Sequence, residues 1–172
     1  MSSNPGGARV LVPEALTAEK FTLFGDVIDA ASAARRLPIN QGYTTRFDDL
    51  AAIDVGEAGG RICVSIFRSA PMARPVTIRR IERHPLGSQA FIPLDRRPYL
   101  VVVAPPGPFD AAQVRAFVAG GEQGVNYAKA VWHHFLLALD VESDFLVIDR
   151  AGPGDNLDEI VFADDAGFEI AY

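Results

Sequence analysis

Apolar and polar residues alternate along much of the chain from residue 61 onward, in stretches of about eight residues. Residues 61–68 and 76–84 both alternate with a period of two, which predicts β-strands whose two faces differ in polarity. The residues that share a face are Ile62, Val64, Ile66 and Arg68 in the first stretch and Val76, Ile78, Arg80, Glu82 and His84 in the second. We expect the face that ends in Arg68 to point into the protein.

Further short strands are predicted, with glycine or proline between many of them. They lie near residues 11–12, 43–47, 89–94, 99–104, 131–139, 144–149 and 159–162. Residues 99–104 are apolar without interruption, which is typical of a strand buried on both faces. Residues 35–50 otherwise have the composition of irregular structure, with Pro38, Asn40 and Gly42 as breaks.

Two short helices complete the predicted elements. Thr17 is a typical N-cap for a helix over residues 18–24, and Gly25 marks its end. Asp110 begins a second helical segment that we expect to reach about Val118. A chain with many short strands and two short helices belongs to the mostly-β class, as an antiparallel sandwich or barrel.

Composition narrows the range of functions. The 172 residues are enough for one domain over residues 8–172, after a disordered N-terminus over residues 1–7. A net charge of −6 argues against a nucleic-acid partner, which requires a basic face. No apolar run approaches the roughly 20 residues that span a membrane, and the N-terminus does not resemble a signal peptide. Cys63 is the only cysteine and lies in an apolar run, so we expect a reduced, buried thiol in a cytoplasmic protein.

The three histidines lie in two blocks, residues 82–93 (ERHPLGSQAFIP) and residues 121–134, which begin GEQGVNY and end WHH. Glu82 and His84 are two residues apart and point the same way on a strand, and a turn after Pro85 can bring Gln89 alongside them. His133 and His134 face opposite sides of their strand, so only one of them can face a given pocket. The two blocks therefore predict a single pocket that holds an imidazole, a carboxylate and an amide.

The spacing of Glu82, His84 and Gln89, followed by His133 on a later strand, resembles the two metal-binding motifs of the cupin superfamily. That pattern has H-x-H with a glutamate a few residues later, and a second block that ends in a histidine. Here Glu82 replaces the first histidine and Gln89 replaces the glutamate. The ligand set that the resemblance implies is Glu82, His84, Gln89 and His133, a poorer set for a divalent metal than the usual one.

The same two blocks resemble the ureidoglycolate lyase family more closely. Further matching segments are residues 24–28 (FGDVI), 39–40, 67–68 and 144–150 (DFLVIDR), so that the resemblance covers nearly the whole chain. It implies a cupin-like β-barrel or sandwich that pairs as a homodimer, and an amidine-type carbon–nitrogen lyase. The implied reaction cleaves (S)-ureidoglycolate to glyoxylate and urea in allantoin and purine catabolism, with a divalent metal such as Ni²⁺ as a cofactor in some members.

Roles follow from the chemistry of that substrate, which carries a hydroxyl, a urea nitrogen and a carboxylate on one carbon. His84 and His133 are the expected pair for proton transfer or metal binding, with Glu82 orienting them or sharing the proton and Glu122 as the alternative acid or base. We expect Arg68, or as second choice Arg46, to bind the carboxylate. The other expected substrate-binding residues are Gln89, Asn126, Asn40 and His134.

Two other functions fit the same pocket. One is a cupin that binds a small molecule without catalysis, and the other is a different cupin enzyme that acts on a small carboxylate. Release of urea and glyoxylate from ureidoglycolate separates the lyase from the binding protein, and metal analysis separates it from enzymes that require more histidines.

Overall fold

The computed structural model describes residues 8–163 and 166–172, so the predicted disordered N-terminus lies outside the described residues. The strands are β1 (Arg9–Leu11), β2 (Glu14–Ala15), β3 (Gly25–Ile28), β4 (Arg35–Ile39), β5 (Thr44–Asp48), β6 (Arg61–Ser69), β7 (Val76–Ile78), β8 (Arg80–Arg83), β9 (Gln89–Pro93), β10 (Tyr99–Ala104), β11 (Arg115–Ala119), β12 (Gly124–Tyr127), β13 (Trp132–His133), β14 (Leu137–Ala138), β15 (Ser143–Ala151), β16 (Asp158–Val161) and β17 (Phe168–Ile170). The helices are α1 (Ala18–Phe21) and 3₁₀ turns at Asn40–Gly42, Glu57–Gly59 and Ala111–Gln113. The expected mostly-β class with few short helices is confirmed.

The strands form layers. A seven-stranded sheet has the order β16-β8-β13-β10-β11-β2, with β14 also paired to β10, and a five-stranded sheet has the order β3-β12-β9-β15-β6. A three-stranded sheet, β1-β17-β7, and the separate hairpin β4-β5 complete the set. Most pairs are antiparallel, but β1 with β17 and β2 with β11 are parallel.

The seven-stranded sheet is the middle layer because its central strand, β10, packs on both faces. Tyr99, Val101 and Val103 join a core that includes Phe91 and Phe145 of the five-stranded sheet. The alternate residues of β10 join a second core with the three-stranded sheet. All six residues of β10 are buried, which confirms the prediction from their continuous apolar run.

Local signals placed α1 correctly but failed for two other segments. Thr17 caps α1, since its side chain accepts a hydrogen bond of 3.3 Å from the backbone N–H of Lys20, although the helix ends at Phe21 rather than at residue 24. The helix predicted from Asp110 to Val118 is wrong. Asp110 caps only a single 3₁₀ turn, and the chain then forms β11, because pairing with β10 along five residues outweighs the local helical preference. The irregular structure expected before residue 43 is also wrong, since Arg35–Ile39 pairs with β5.

Two predicted strands need correction. The stretch over residues 76–84 is divided at Arg79 into β7 and β8, which belong to different sheets. Ile78 and Ile81 are both fully buried while Arg80 is exposed, so the alternation changes phase there and the five residues do not share one face. The strand predicted over residues 131–139 is likewise divided, into β13 and β14.

The face of Ile62, Val64 and Ile66 does not point inward. These side chains are 56%, 62% and 55% exposed, and β6 is the edge strand of the five-stranded sheet. Cys63, expected to be buried, is half-buried on the opposite face. Periodicity shows that residues share a face but does not show which face the sheet covers. Within the described residues, no helix is long and apolar enough to cross a membrane.

Candidate functional site

The centre of the candidate site is the pairing of β8 with β13, which puts Glu82 directly opposite His133. The Oε1 atom of Glu82 lies 3.7 Å from Nε2 of His133 and 3.9 Å from Nε2 of His84. The two imidazole rings are 5.1 Å apart between centroids. Glu82, His84 and His133, which we call the triad, offer ligand atoms that all lie within 4.8 Å of one another. The structure thus brings together the pair of histidines and the carboxylate that the sequence predicted.

Both triad histidines are held in the same tautomer by backbone carbonyls. Nδ1 of His84 lies 2.8 Å from the carbonyl oxygen of Asn156, and Nδ1 of His133 lies 2.9 Å from that of Val131. Because a carbonyl only accepts, each neutral ring donates from Nδ1 and keeps a lone pair on Nε2. Both Nε2 atoms are buried and have no hydrogen-bond partner. Two free lone pairs therefore converge on the carboxylate of Glu82.

Burial sets the charge state of the site. The pKa of His133 is lowered to about 3, mainly because the ring is buried and also because His84 is close. Burial raises the pKa of Glu82, and the attraction of His84 offsets part of that effect. Charge on either group is thus disfavoured unless a cation or a proton compensates it.

Tyr127 and Asn156 are parts of the site that the sequence did not reveal. The ring of Tyr127 stacks on His133 at 4.5 Å between centroids, and β12 pairs Tyr127 with Gln89. Asn156 holds His84 through its backbone carbonyl, and its side-chain oxygen accepts a 2.7 Å hydrogen bond from the N–H of Leu86. The only signal was that Tyr127 belongs to the block GEQGVNY.

Two cavities flank the triad. A cavity of about 430 Å³ is lined by Phe67, Arg68, Ser69, Glu82, Gln89, Phe91, Phe135 and Leu136. A smaller, more polar cavity of about 190 Å³ is lined by His84, Ser88, Gln89, Asp149, Arg150 and Asn156. Gln89 lines both, and its Oε1 atom is buried with no hydrogen-bond partner. The larger cavity has room for a small polar substrate next to Glu82.

The donor set suits a divalent metal. Two imidazole nitrogens with free lone pairs and one carboxylate form a three-ligand group of the kind found at catalytic metal sites, where a further position stays open. The hydrogen bonds from the Nδ1 atoms to carbonyls are the usual way in which ligand histidines are oriented. Gln89, the fourth residue of the implied ligand set, is adjacent and has a free amide oxygen.

Arg68 lines the larger cavity, but its guanidinium is already engaged. Its Nε and Nη2 atoms donate to the two carboxylate oxygens of Asp144 at 2.7 and 2.8 Å. The Nε atom also lies 3.7 Å from Glu142. The one cationic group that lines this cavity is therefore held by carboxylates of the same chain.

His134 and Asn126 are buried away from the triad. Nδ1 of His134 donates to the carbonyl of Phe135 at 2.9 Å, and its ring contacts that of Phe135. The amide of Asn126 donates to Asp26 and to the carbonyl of Ala52, each at 3.0 Å. His133, rather than His134, is therefore the histidine that lies opposite Glu82.

The remaining predicted residues lie outside both cavities of the same chain. Glu122 is exposed and lies 3.3 Å from Arg96. Arg46 pairs with Asp48 at 2.6 Å on the β4-β5 hairpin, and Asn40 donates to Thr44 at its tip.

Comparison with known proteins shows the family of this chain. The model of the family described as ureidoglycolate lyase matches residues 8–169. A ureidoglycolate lyase of Burkholderia cepacia is 59% identical over 155 residues, covering 90% of this chain and 87% of that protein. Those of Burkholderia mallei and Brucella ovis are 56% and 53% identical, over 88% of both chains and 90% of both chains respectively. A match over nearly the whole length, to relatives with more than half of the aligned residues identical, shows that this chain belongs to the ureidoglycolate lyase family.

Proposed function

We propose that this protein is a ureidoglycolate lyase that cleaves (S)-ureidoglycolate to glyoxylate and urea, and that residues 8–172 act as one domain. The observation that carries the proposal is the triad, in which two histidines direct free Nε2 lone pairs at a half-buried carboxylate. Membership of the family and the adjacent cavity of about 430 Å³ support the same function.

The reaction breaks the bond between the central carbon and a urea nitrogen while the hydroxyl becomes a carbonyl. A base must take the hydroxyl proton, and an acid must give a proton to the departing nitrogen. His84 accepts the hydroxyl proton at Nε2, since the carbonyl of Asn156 holds its other nitrogen as a donor. Glu82 shares this proton and passes one to the urea nitrogen, a role favoured by the raised pKa that burial gives it.

His133 and Tyr127 complete the arrangement. Because the pKa of His133 is lowered to about 3, its ring is neutral at pH 7 and presents a lone pair rather than a charge. The stacked ring of Tyr127 keeps His133 in place. Gln89 lies at the junction of the two cavities, where its amide can hydrogen-bond the ureido group.

The triad and Gln89 also fit a divalent metal such as Ni²⁺, which when bound would supply a positive charge that polarises the substrate oxygens. A lone pair that holds a metal does not accept a proton, so the two uses of His84 are alternatives. A metal would also compensate the burial of Glu82, whose pKa is raised without it. Calorimetric titration with Ni²⁺ distinguishes metal binding from proton transfer as the role of His84. We expect the wild-type protein to bind Ni²⁺ and Glu82→Gln to lose this binding. A wild-type protein that binds no Ni²⁺ excludes the metal.

We further propose a cytoplasmic homodimer. The apolar face of β6, formed by Ile62, Val64 and Ile66, is more than half exposed along an edge strand, and such a face requires cover in a protein that stays in solution. A second copy of the same chain is the simplest cover, since most oligomers are symmetric.

The decisive experiment measures urea and glyoxylate released from racemic ureidoglycolate, with and without a chelator. Equal amounts of both products, well above the spontaneous rate, support the lyase, and inhibition by the chelator supports the metal. Folded protein that gives no turnover even with added Ni²⁺ contradicts the proposal and favours a cupin that only binds.

His84→Ala tests the assignment of the base. We expect the rate to fall by roughly 10²–10⁴, the usual contribution of one acid–base group. Val161→Ala, an exposed position on β16, serves as the matched control and should keep the wild-type rate. A loss of only a few-fold in His84→Ala, with the fold intact by circular dichroism, contradicts the role of His84.

A further inference from the structure

The hairpin of β4 and β5, residues 35–48, stands apart from the other sheets, and we call it the arm. Its two strands form a sheet of their own, and every residue of both strands except Asp48 is exposed. Apolar side chains are exposed along it, and the ring of Tyr43 at the tip is 91% exposed. A two-stranded hairpin with exposed apolar residues has little stability alone, so the arm needs a surface to lie on.

A surface on which the arm can pack lies beside the larger cavity. β6, whose apolar face is exposed, leads to Phe67 and Arg68, which line that cavity. One edge of β6 pairs with β15, and no strand in the described residues covers the other edge. Phe67 and Phe135 are 39% and 46% exposed at the cavity. The face of β6 that has Ile62, Val64 and Ile66 therefore leads to Arg68 at the cavity, and Phe67 lies at the cavity from the opposite face of the strand.

The charges of the two surfaces are complementary. The arm has three arginines, Arg35, Arg36 and Arg46, against the single carboxylate of Asp48, within a chain whose net charge is −6. The cavity and its entrance have three carboxylates, Glu82, Glu142 and Asp144, against the single guanidinium of Arg68. A basic arm is therefore attracted to this entrance.

The larger cavity also lacks an arginine that is free to bind the carboxylate of a substrate, and the arm has arginines that are exposed. A substrate with a carboxylate requires a cation, and Arg68 is already held by Asp144 in a bidentate pair. Arg150, which lines the smaller cavity, donates instead to the backbone carbonyls of residues 57, 58 and 153. Both arginines that line the two cavities are therefore engaged within their own chain. Arg46 of the arm pairs with Asp48, but it shares that carboxylate with Arg35 and its side chain is 62% exposed, so it can reach a substrate.

We propose that a second copy of this chain lays its arm along β6 and across the entrance of the larger cavity, where Arg46 binds the substrate carboxylate and Asn40 the ureido group. This inference rests on the proposed function for the identity of the substrate. Strands of five residues extend about 17 Å, and all residues of the arm except Asp48 are exposed, so the arm is long enough to reach a second copy. The site is then shared, with the triad from one copy and the carboxylate-binding cation from the other.

Complementation between subunits tests the proposal. One chain has His84→Ala with an intact arm, and the other has Asn40→Ala and Arg46→Ala with an intact triad. Each homodimer should be slow, and the arm variant should lose at least about tenfold in kcat/KM because a charged hydrogen bond is removed. A heterodimer, isolated through two affinity tags, contains one site with both intact parts and should recover about half of the wild-type rate. If each arm served its own subunit, the heterodimer would be as slow as its parents, and that result overturns the proposal.

Sedimentation equilibrium provides a readout that does not depend on turnover. Wild-type protein should sediment as a dimer, and Val64→Asp on β6 or Tyr43→Asp on the arm should each give folded monomers. A wild-type monomer, or a dimer that both substitutions leave intact, overturns the proposal. Active wild-type protein with a failed heterodimer refutes only the shared site, whereas wild-type protein that releases no urea refutes the proposed function itself.

Discussion

Acidification should unfold this protein partly through His134, a buried histidine outside the triad. Its relative exposure is 3%, and burial lowers its pKa from the ordinary value of 6.5 to about 4, although the hydrogen bond to the carbonyl of Phe135 acts in the opposite direction. The folded state therefore holds His134 neutral, while the unfolded chain takes up a proton below pH 6.5. Stability contributed by the neutral ring is complete above pH 6.5 and is lost as the pH falls toward 4.

The magnitude follows from the two pKa values. Lowering the pKa of His134 from 6.5 to about 4 removes about 3 kcal/mol of unfolding free energy by pH 4, and about 2 kcal/mol of this is already lost at pH 5. A domain of this size has about 5–15 kcal/mol in total, so the loss is a large fraction. His133, whose pKa is lowered in the same direction, contributes to the same acid sensitivity.

Urea denaturation at pH 8, 7, 6, 5 and 4 measures this effect when wild type is compared with His134→Gln. The variant removes one titrating group but keeps His133, so the difference between the two curves isolates His134. We expect the variant to be less stable than wild type at pH 8 and to lose about 2 kcal/mol less between pH 7 and pH 5. Parallel stability curves across this range would refute the linkage and show that His134 has the same pKa in the folded and the unfolded protein.

Two further predictions concern positioning and packing. Asn156→Leu removes the side-chain acceptor for the N–H of Leu86 and loosens the turn that holds His84, so we expect kcat to fall about 10–100-fold. Asn156→Asp keeps an acceptor and should recover most of this rate, whereas equal losses in both variants contradict a positioning role. Phe145→Ala removes a fully buried ring and should lower the unfolding free energy by about 3–5 kcal/mol in chemical denaturation. The exposed Val161→Ala should change it by less than about 0.5 kcal/mol, and a similar loss in both would contradict the layered core.

The parts of the fold that were predictable from the sequence depend on neighbouring residues. The cap at Thr17 and the buried run of β10 are local patterns, and both are present. The strand at Arg115–Ala119 was not predictable, because its partner β10 decides its conformation and Asp110 supplied a genuine but short helical signal. The division of residues 76–84 at Arg79 was not predictable either, because β7 and β8 pair in two different sheets and these sheets decide which side chains are buried.

In the candidate site, too, local patterns were predictable from the sequence and contacts between distant segments were not. The spacing of Glu82 and His84 predicted that they act together, and the resemblance to a family added His133. The sequence could not reveal that Asn156 holds His84, since 72 residues separate them. Nor could it show that Arg68 is engaged by Asp144 across the β6-β15 pair.

By itself, the sequence determined the class of fold, the residue types of the triad and the family, because strand periodicity and motif spacing are properties of short segments. Only the tertiary structure decided which histidine meets Glu82, since the register between β8 and β13 selects His133 over His134. It also decided that the apolar face of β6 is exposed and that the arm forms a separate sheet whose residues line neither cavity beside the triad of their own chain. A repeat of two residues fixes which side chains lie together, but the layer that covers them is set by contacts between segments distant in the chain.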